Sequence, residues 1–232
     1  MKVQKLKLYH FPATRSARVR WALHETIGDE FEVQALDLYS GDQYRDEYLR
    51  KNPNHNVPLL EITMEDGSVH RMLESVAMVE WLVESFPEKK LSPPVGLSPE
   101  RADYLQMMHF GGTWMDMMLW QVRIHEHVLP SDQSDPRTID RYRQKFVEEV
   151  EPQLKERLCQ TSFICGDAFS GADIVIGHNV TWARGYHLCQ DDIFHEYLSR
   201  ISKRPAFLKA FEDARKFTPE VPNKNKLAKF SG

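Results

Sequence analysis

The sequence predicts two domains, an α/β domain on a mixed four-stranded sheet followed by an all-α domain. Three observations lead there. Residues 5–85 switch repeatedly between period-two and helical hydrophobic patterning. Pro87, Pro93, Pro94, Gly96 and Pro99 then crowd a stretch in which no regular element of ordinary length fits. Beyond it the pattern is helical to about Phe217, with no alternating segment. The expected boundaries are 1–86 for the first domain, 87–98 for a linker, 99–217 for the helical domain and 218–232 for a tail.

Lys5-Leu6-Lys7-Leu8-Tyr9 alternates polar and apolar residues and predicts a strand, closed by Pro12. Ser16 to His24 predicts a helix with Val19, Ala22 and Leu23 on one face, stopped by Gly28. Phe31 to Leu38 alternates again and predicts a second strand. Gln43 to Arg50 predicts a short charged helix ending before Asn52-Pro53. Val57 to Thr63 and Ser68 to Leu73 predict two strands joined by a turn at Glu65-Asp66-Gly67. Ser75 to Ser85 carries Val76, Val79, Leu82 and Val83 and predicts a helix. A strand–helix–strand start implies a parallel pair with a right-handed crossover, and the hairpin adds antiparallel strands.

In the second half, Pro99-Glu100-Arg101 starts a long helix. Gly111-Gly112 inside it marks a kink or break that either widens a cleft or permits close packing. Pro136 to Cys159 predicts another helix, kinked at Pro152. Ser170-Gly171-Ala172-Asp173 has the spacing of a capping box at the start of a strongly apolar helix. Asp192 to Ser202 and Arg204 to Arg215 supply two more. The tail from Thr218 has little apolar content and is expected to pack loosely or move.

Composition narrows the function. The 232 residues carry 30 basic and 34 acidic side chains, a net charge of −4. That balance gives no global attraction to nucleic acid or an anionic membrane. No apolar run approaches the roughly 20 residues of a membrane span, and the N-terminus has no apolar stretch of signal-peptide length. Cys159, Cys165 and Cys189 form an odd set without CxxC, which points to a reducing, cytoplasmic setting. His125-x-His127 places its imidazoles on different helix faces, and the cysteine and histidine spacings match no structural zinc site. No metal is expected. Neither GxGxxG nor GxxxxGK[ST] is present to cradle a phosphate.

Four places can carry chemistry. Asn56-Val57-Pro58 interrupts a strand, because proline donates no ladder hydrogen bond. It either simply ends the strand or leaves a backbone edge on which an extended peptide can pair. Glu74-Ser75 stands at a predicted helix start, where free N–H groups attract a carboxylate. Ser75 is either a plain N-cap or a carboxylate donor, with Glu74 beside it for an ammonium. Phe11-Pro12-Ala13-Thr14-Arg15-Ser16 is a strand-to-helix turn of the kind that receives ligands in α/β sheets. Thr14 and Ser16 are either cap residues or hydroxyls able to hold a thiolate. Lowering a thiol's pKa by two units needs roughly 2.7 kcal/mol, the scale of one charge-assisted hydrogen bond and a helix terminus. Last, Tyr104, Met108, Trp114 and Met115 belong to a run rich in methionine and aromatic residues, which forms either helix core or an adaptable apolar pocket.

Together these pieces resemble the glutathione transferase superfamily. Leu6-Lys7-Leu8-Tyr9 through Arg18-Val19-Arg20-Trp21-Ala22-Leu23, then Asn52-Pro53 and Val57-Pro58, then Glu74-Ser75, match its N-terminal half in order and spacing. Ser170-Gly171-Ala172-Asp173-Ile174 resembles its capping motif, so the likeness spans about residues 5–217. It implies a thioredoxin-like first domain, a helical second domain, glutathione as co-substrate and a homodimer. Carried over, Val57 pairs its backbone with the cysteinyl unit and Pro58 is the cis-proline. Glu74 and Ser75 bind the γ-glutamyl end, and Gln43 and Asn56 serve the glycine carboxylate. Tyr104, Met108, Trp114 and Met115 stand for the pocket of a small hydrophobic electrophile. The activating residue departs from the tyrosine-type classes, since Tyr9 lies in the strand, and from the cysteine-type classes, since no cysteine precedes Cys159. Serine-type classes remain closest, with Thr14 aligned near their serine and Ser16 second. The implied activity is attack of the glutathione thiolate on an electrophile, with a detoxifying role. Alternatives are glutathione-dependent cis–trans isomerisation of the maleylacetoacetate type, peroxidase activity, and a non-catalytic binding or scaffold protein of the same fold.

Overall fold

The computed structural model describes residues 2–221. The first unit contains β1 (Val3–His10), α1 (Arg15–Thr26), β2 (Glu32–Ala35), α2 (Asp46–Leu49), β3 (Leu59–Met64), β4 (Val69–Met72) and α3 (Ser75–Ser85). Its sheet runs β2-β1-β3-β4. β1 and β2 are parallel, while β1–β3 and β3–β4 are antiparallel. The sheet is mixed, as the patterning predicts, and the domain is thioredoxin-like, as the resemblance implies.

Alternation along β1 sets the two faces. Leu8 and His10 are buried on one, and Tyr9 is buried on the other in a cluster with Phe11, Leu36, Tyr48, Val57 and Leu59. α1 packs on β1 and α3, burying Ala17, Val19, Trp21, Ala22 and Leu23 completely. Gly28 closes the helix region at φ +67°, a conformation glycine adopts without steric cost.

Several elements are shorter than the patterning implies. β2 keeps four residues of the predicted 31–38 segment. The charged helix predicted over 43–50 splits at Arg45, whose extended ψ of 139° separates a 3₁₀ turn (Asp42–Tyr44) from α2. β3 starts at Leu59 rather than Val57: Val57-Pro58, a cis peptide, lies outside the ladder, and proline has no N–H to give it.

The second unit holds α4 (Pro99–His109), α5 (Asp116–Arg123), α6 (Pro136–Lys145), α7 (Glu151–Gln160), α8 (Gly171–Arg184) and α9 (Asp192–Ile201). Gly111-Gly112 does not break its helix. α4 passes into α5 through a π-helical turn, Phe110–Met115. A Cβ on Gly111 would lie 2.6 Å from Val175 Cγ1, and Asn179 Nδ2 donates to the Gly111 carbonyl at 2.8 Å. The glycine thus serves close packing against α8. The helix predicted over 136–159 is divided by another π turn, Phe146–Val150, just before Pro152. Proline lacks the N–H that would close the preceding turn, which accounts for the interruption.

Residues 203–217 differ from expectation. The sequence places them with the helical domain, yet Lys203–Phe217 cluster with the first unit. They form α10 (Pro205–Ala210) and a 3₁₀ turn, Ala214–Lys216. Phe207 and Phe211 pack edge-on against Trp21, and Arg204 bonds both carboxylate oxygens of Glu25 at 2.6 and 2.7 Å. Helical periodicity reports that a helix forms, not which surface receives it. Of the tail, Val221 is buried, and residues 222–232 lie outside the described residues.

Candidate functional site

The first turn and the start of α3 are joined by a buried cation. Arg18, one turn into α1, is 1% exposed. Its Nε and Nη2 donate to Ser75 Oγ at 3.0 and 2.6 Å. Those donors occupy the hydroxyl's lone pairs, so the Ser75 hydrogen is left to donate. The opening N–H groups of α3 lie at the same point, and the buried positive charge adds to the field there. A carboxylate is the ligand such an arrangement favours. Glu74 precedes it, exposed, with φ +69°. A left-handed glutamate costs on the order of 1–3 kcal/mol and persists where the surroundings impose it.

The backbone before Val57 is held by two side chains. Tyr48 Oη donates to the Asn56 carbonyl at 2.6 Å, and Asn52 Nδ2 reaches the same carbonyl at 2.8 Å. Asn52 also donates to Asn56 Oδ1 at 3.0 Å. These bonds fix the backbone entering the cis Val57-Pro58 peptide, and Val57 itself packs with Phe11 of the first turn. Asn56 is exposed. Gln43 is buried, and its amide nitrogen donates to the Leu38 carbonyl at 3.2 Å.

The two candidate hydroxyls stand in different environments. Thr14 is the N-cap of α1 and partly exposed. Its Oγ1 donates to the Phe11 carbonyl at 2.8 Å and lies 2.8 Å from Ser16 Oγ. Ser16 is 0% exposed. Its Oγ accepts from the Phe11 N–H at 3.1 Å and lies 2.7 Å from His10 Nδ1. A ligand atom at the surface can meet Thr14 but not Ser16.

Tyr9 is buried with its hydroxyl engaged. It donates to Glu61 Oε2 at 3.0 Å and accepts from Lys51 Nζ at 2.8 Å. The three cysteines all lie in the second unit. Burial pushes the Cys165 thiol up to about 12 and raises that of Cys189 further, so neither is a thiolate near neutrality. Tyr104, Met108 and Met115 are 0% exposed, buried in the chain's core, while Trp114 is partly exposed beneath Lys145, whose Nζ is 4.8 Å from the ring centre. Among the described residues no cluster of three or more His, Cys, Asp or Glu could hold a metal ion, and no helix is long and apolar enough to cross a membrane.

The sequence reading did not single out His10 and Asp213. His10 appears only as the residue after a strand, and Asp213 lies 203 positions away. Only the placement of 203–217 on the first unit brings them together.

Residues 4–84 match the glutathione S-transferase N-terminal domain. Among curated relatives, Glutathione S-transferase GstA of Escherichia coli O157:H7 is 26% identical over 206 residues, covering 86% of this chain and 94% of the relative. A maleylacetoacetate isomerase of Dictyostelium discoideum is 38% identical over 115 residues, 49% of each chain. The crystal structure of a glutathione transferase from Burkholderia graminis, with two glutathione molecules bound per subunit, superposes with a TM-score of 0.77 at 23% identity, covering 92% of this chain and 90% of that one. At that identity the last likeness shows the fold. The family match therefore concerns the first unit, and the relative that spans most of the chain does so at 26% identity.

Proposed function

We propose that this chain is a glutathione transferase of the serine/threonine type, in which the Thr14 hydroxyl holds the glutathione sulfur as a thiolate for attack on a small hydrophobic electrophile. The observation that carries the reading is the carboxylate seat at Ser75 over buried Arg18, in the same unit as a partly exposed hydroxyl capping α1. In this reading the γ-glutamyl carboxylate takes the Ser75 hydrogen and the α3 N–H groups, and Glu74 meets the ammonium. The cysteinyl backbone lies against Val57 at the cis-proline, with Asn56 and Gln43 towards the glycine end. The buried amide nitrogen of Gln43 is already given to Leu38, so exposed Asn56 is the better candidate of the two.

The chemistry asked of the protein is modest. One charge-assisted hydrogen bond contributes about 1.5–3 kcal/mol, enough to lower a thiol pKa by about one to two units. Positioning of the electrophile would supply the rest. Of the four residues expected to line an electrophile pocket, Tyr104, Met108 and Met115 have no exposed surface and only Trp114 is exposed. A homodimer and a cytoplasmic, detoxifying role complete the proposal.

Glutathione-dependent isomerisation is the second reading, favoured by the maleylacetoacetate isomerase likeness over half of the chain. Parallel assays of a maleyl substrate and a chlorinated aromatic decide between them. Conjugation without isomerisation supports the transferase, the reverse supports the isomerase, and glutathione binding with neither contradicts both.

A further inference from the structure

Ser16, His10 and Asp213 continue inward from Thr14 as an unbroken chain of polar contacts. Thr14 Oγ1 to Ser16 Oγ is 2.8 Å, Ser16 Oγ to His10 Nδ1 is 2.7 Å, and His10 Nε2 to Asp213 Oδ2 is 3.3 Å. His10 is 2% exposed and Ser16 0%, so the two inner members of the chain are shielded from water. The order of residues resembles a hydrolytic triad, but the serine is buried and bonded to the Phe11 amide, so it has no substrate to attack. Its position beside Thr14 points to proton movement instead.

We propose that Ser16, His10 and Asp213 are positioning residues that relay the thiol proton from Thr14 to the His10 imidazole, an inference that rests on the glutathione reading above.

Hydrogen-bond accounting supports both ends of the relay. Burial opposes the charge on Asp213, but its bond to His10 and the Arg20 guanidinium outweigh burial and hold the carboxyl below its usual range. Arg20 Nη1 lies 3.2 Å from Asp213 Oδ2, and Arg20 Nη2 also pairs with Glu212. An ionised Asp213 accepts from His10 Nε2–H. That tautomer leaves Nδ1 as an acceptor, so Ser16 donates to it. Ser16 then accepts from the Phe11 N–H, and from Thr14 once the Thr14 hydrogen turns away from the Phe11 carbonyl. When a thiol arrives, its S–H bond breaks and its proton passes to Thr14 Oγ1. The Thr14 proton passes to Ser16, and the Ser16 proton to Nδ1. The products are a thiolate facing a Thr14 hydroxyl that now donates outward, and an imidazolium bonded to Ser16 and Asp213. No proton enters or leaves, and each oxygen keeps one hydrogen. The groups tied to the imidazole are thus Asp213 after α10, which favours its charge, and Arg20 of α1, which opposes it through Asp213.

The test titrates bound glutathione by the ultraviolet absorbance of its thiolate and measures binding heats in buffers of different ionisation enthalpy. Per thiolate formed, the wild type is expected to release well under one proton and His10→Gln about one. Asp213→Asn, a milder change at a side chain 19% exposed, is expected to raise the bound thiol's pKa by about one unit, a tenfold loss of thiolate below it. Glutathione affinity at low pH should stay within about twofold of the wild type in both, since neither residue touches the tripeptide. A wild-type thiolate signal with unchanged pKa and proton release in Asp213→Asn overturns the relay alone, whether or not His10→Gln folds. No thiolate in the wild type overturns the glutathione reading, and the relay with it.

Discussion

Thr14 and Ser16 are two positions apart and chemically similar, yet only Thr14 has access to a ligand. Thr14→Ala is expected to raise the pKa of bound glutathione by about one to two units, and Thr14→Ser to restore most of the shift. Absorbance titration of the complexes checks this. Ser16→Ala removes the acceptor for the Phe11 N–H, a buried group, and is expected to cost about 1–3 kcal/mol of stability in denaturant unfolding. The hydroxyls were legible in the sequence as candidates and the resemblance put Thr14 first, but the burial that separates them was not legible, because burial within one turn depends on how α1 seats on the sheet. Arg18 was legible only as part of the Arg18-Val19-Arg20 stretch that carries the resemblance. Its side chain crosses to Ser75, 57 positions away, and no local pattern encodes that contact.

Elements were read well where periodicity and punctuation agree. β1, α1 and α3 appear where alternation, helical spacing, Gly28 and Ser75 predict them. Boundaries failed where backbone geometry decides, as at Arg45 and the π turns Phe110–Met115 and Phe146–Val150. The capping box at α8 was legible, and its full role was not. Asp173 accepts from the Ser170 N–H and Oγ, the Ile164 N–H and the Tyr197 hydroxyl, at 2.9 to 3.1 Å. Asp173→Ala leaves these buried donors without that partner and is expected to cost about 3 kcal/mol or more, read as a lowered denaturant midpoint. Burial pushes the Asp173 carboxyl up to about 6, against its hydrogen bonds. An acid raised from 3.8 in the unfolded chain holds its proton longer when folded. Its contribution to stability is therefore full below pH about 4 and falls as pH rises through about 6. Unfolding titrations of the wild type should show that decline, and Asp173→Asn should lack it. Gly111→Ala forces a Cβ to within 2.6 Å of Val175 and is expected to destabilise the second unit by about 1–3 kcal/mol.

At the scale of the whole molecule, chain order and spatial grouping part company. The chain leaves the first unit at Ser92 and returns to it at Lys203. Trp21 is 0% exposed because Phe207 and Phe211 cover it, so residues 1–92 alone would expose an indole and strip Arg204 from Glu25. Phe207→Ala is expected to cost about 1–3 kcal/mol, seen as a lower melting temperature of the first unit. The two-domain plan was legible because a proline-rich stretch divides two kinds of periodicity. The return of 203–217 was not, since a short amphipathic helix carries no address. That return also supplies Asp213, so the part of the site least visible in sequence is the part contributed from farthest along the chain. The central claim, that the glutathione sulfur faces Thr14, is tested most directly by a crystal structure of the complex. The account predicts the sulfur within about 3.5 Å of Thr14 Oγ1, with the γ-glutamyl carboxylate on Ser75. A sulfur nearer the Tyr9 hydroxyl, or a tripeptide bound away from Ser75 and Val57, would contradict it.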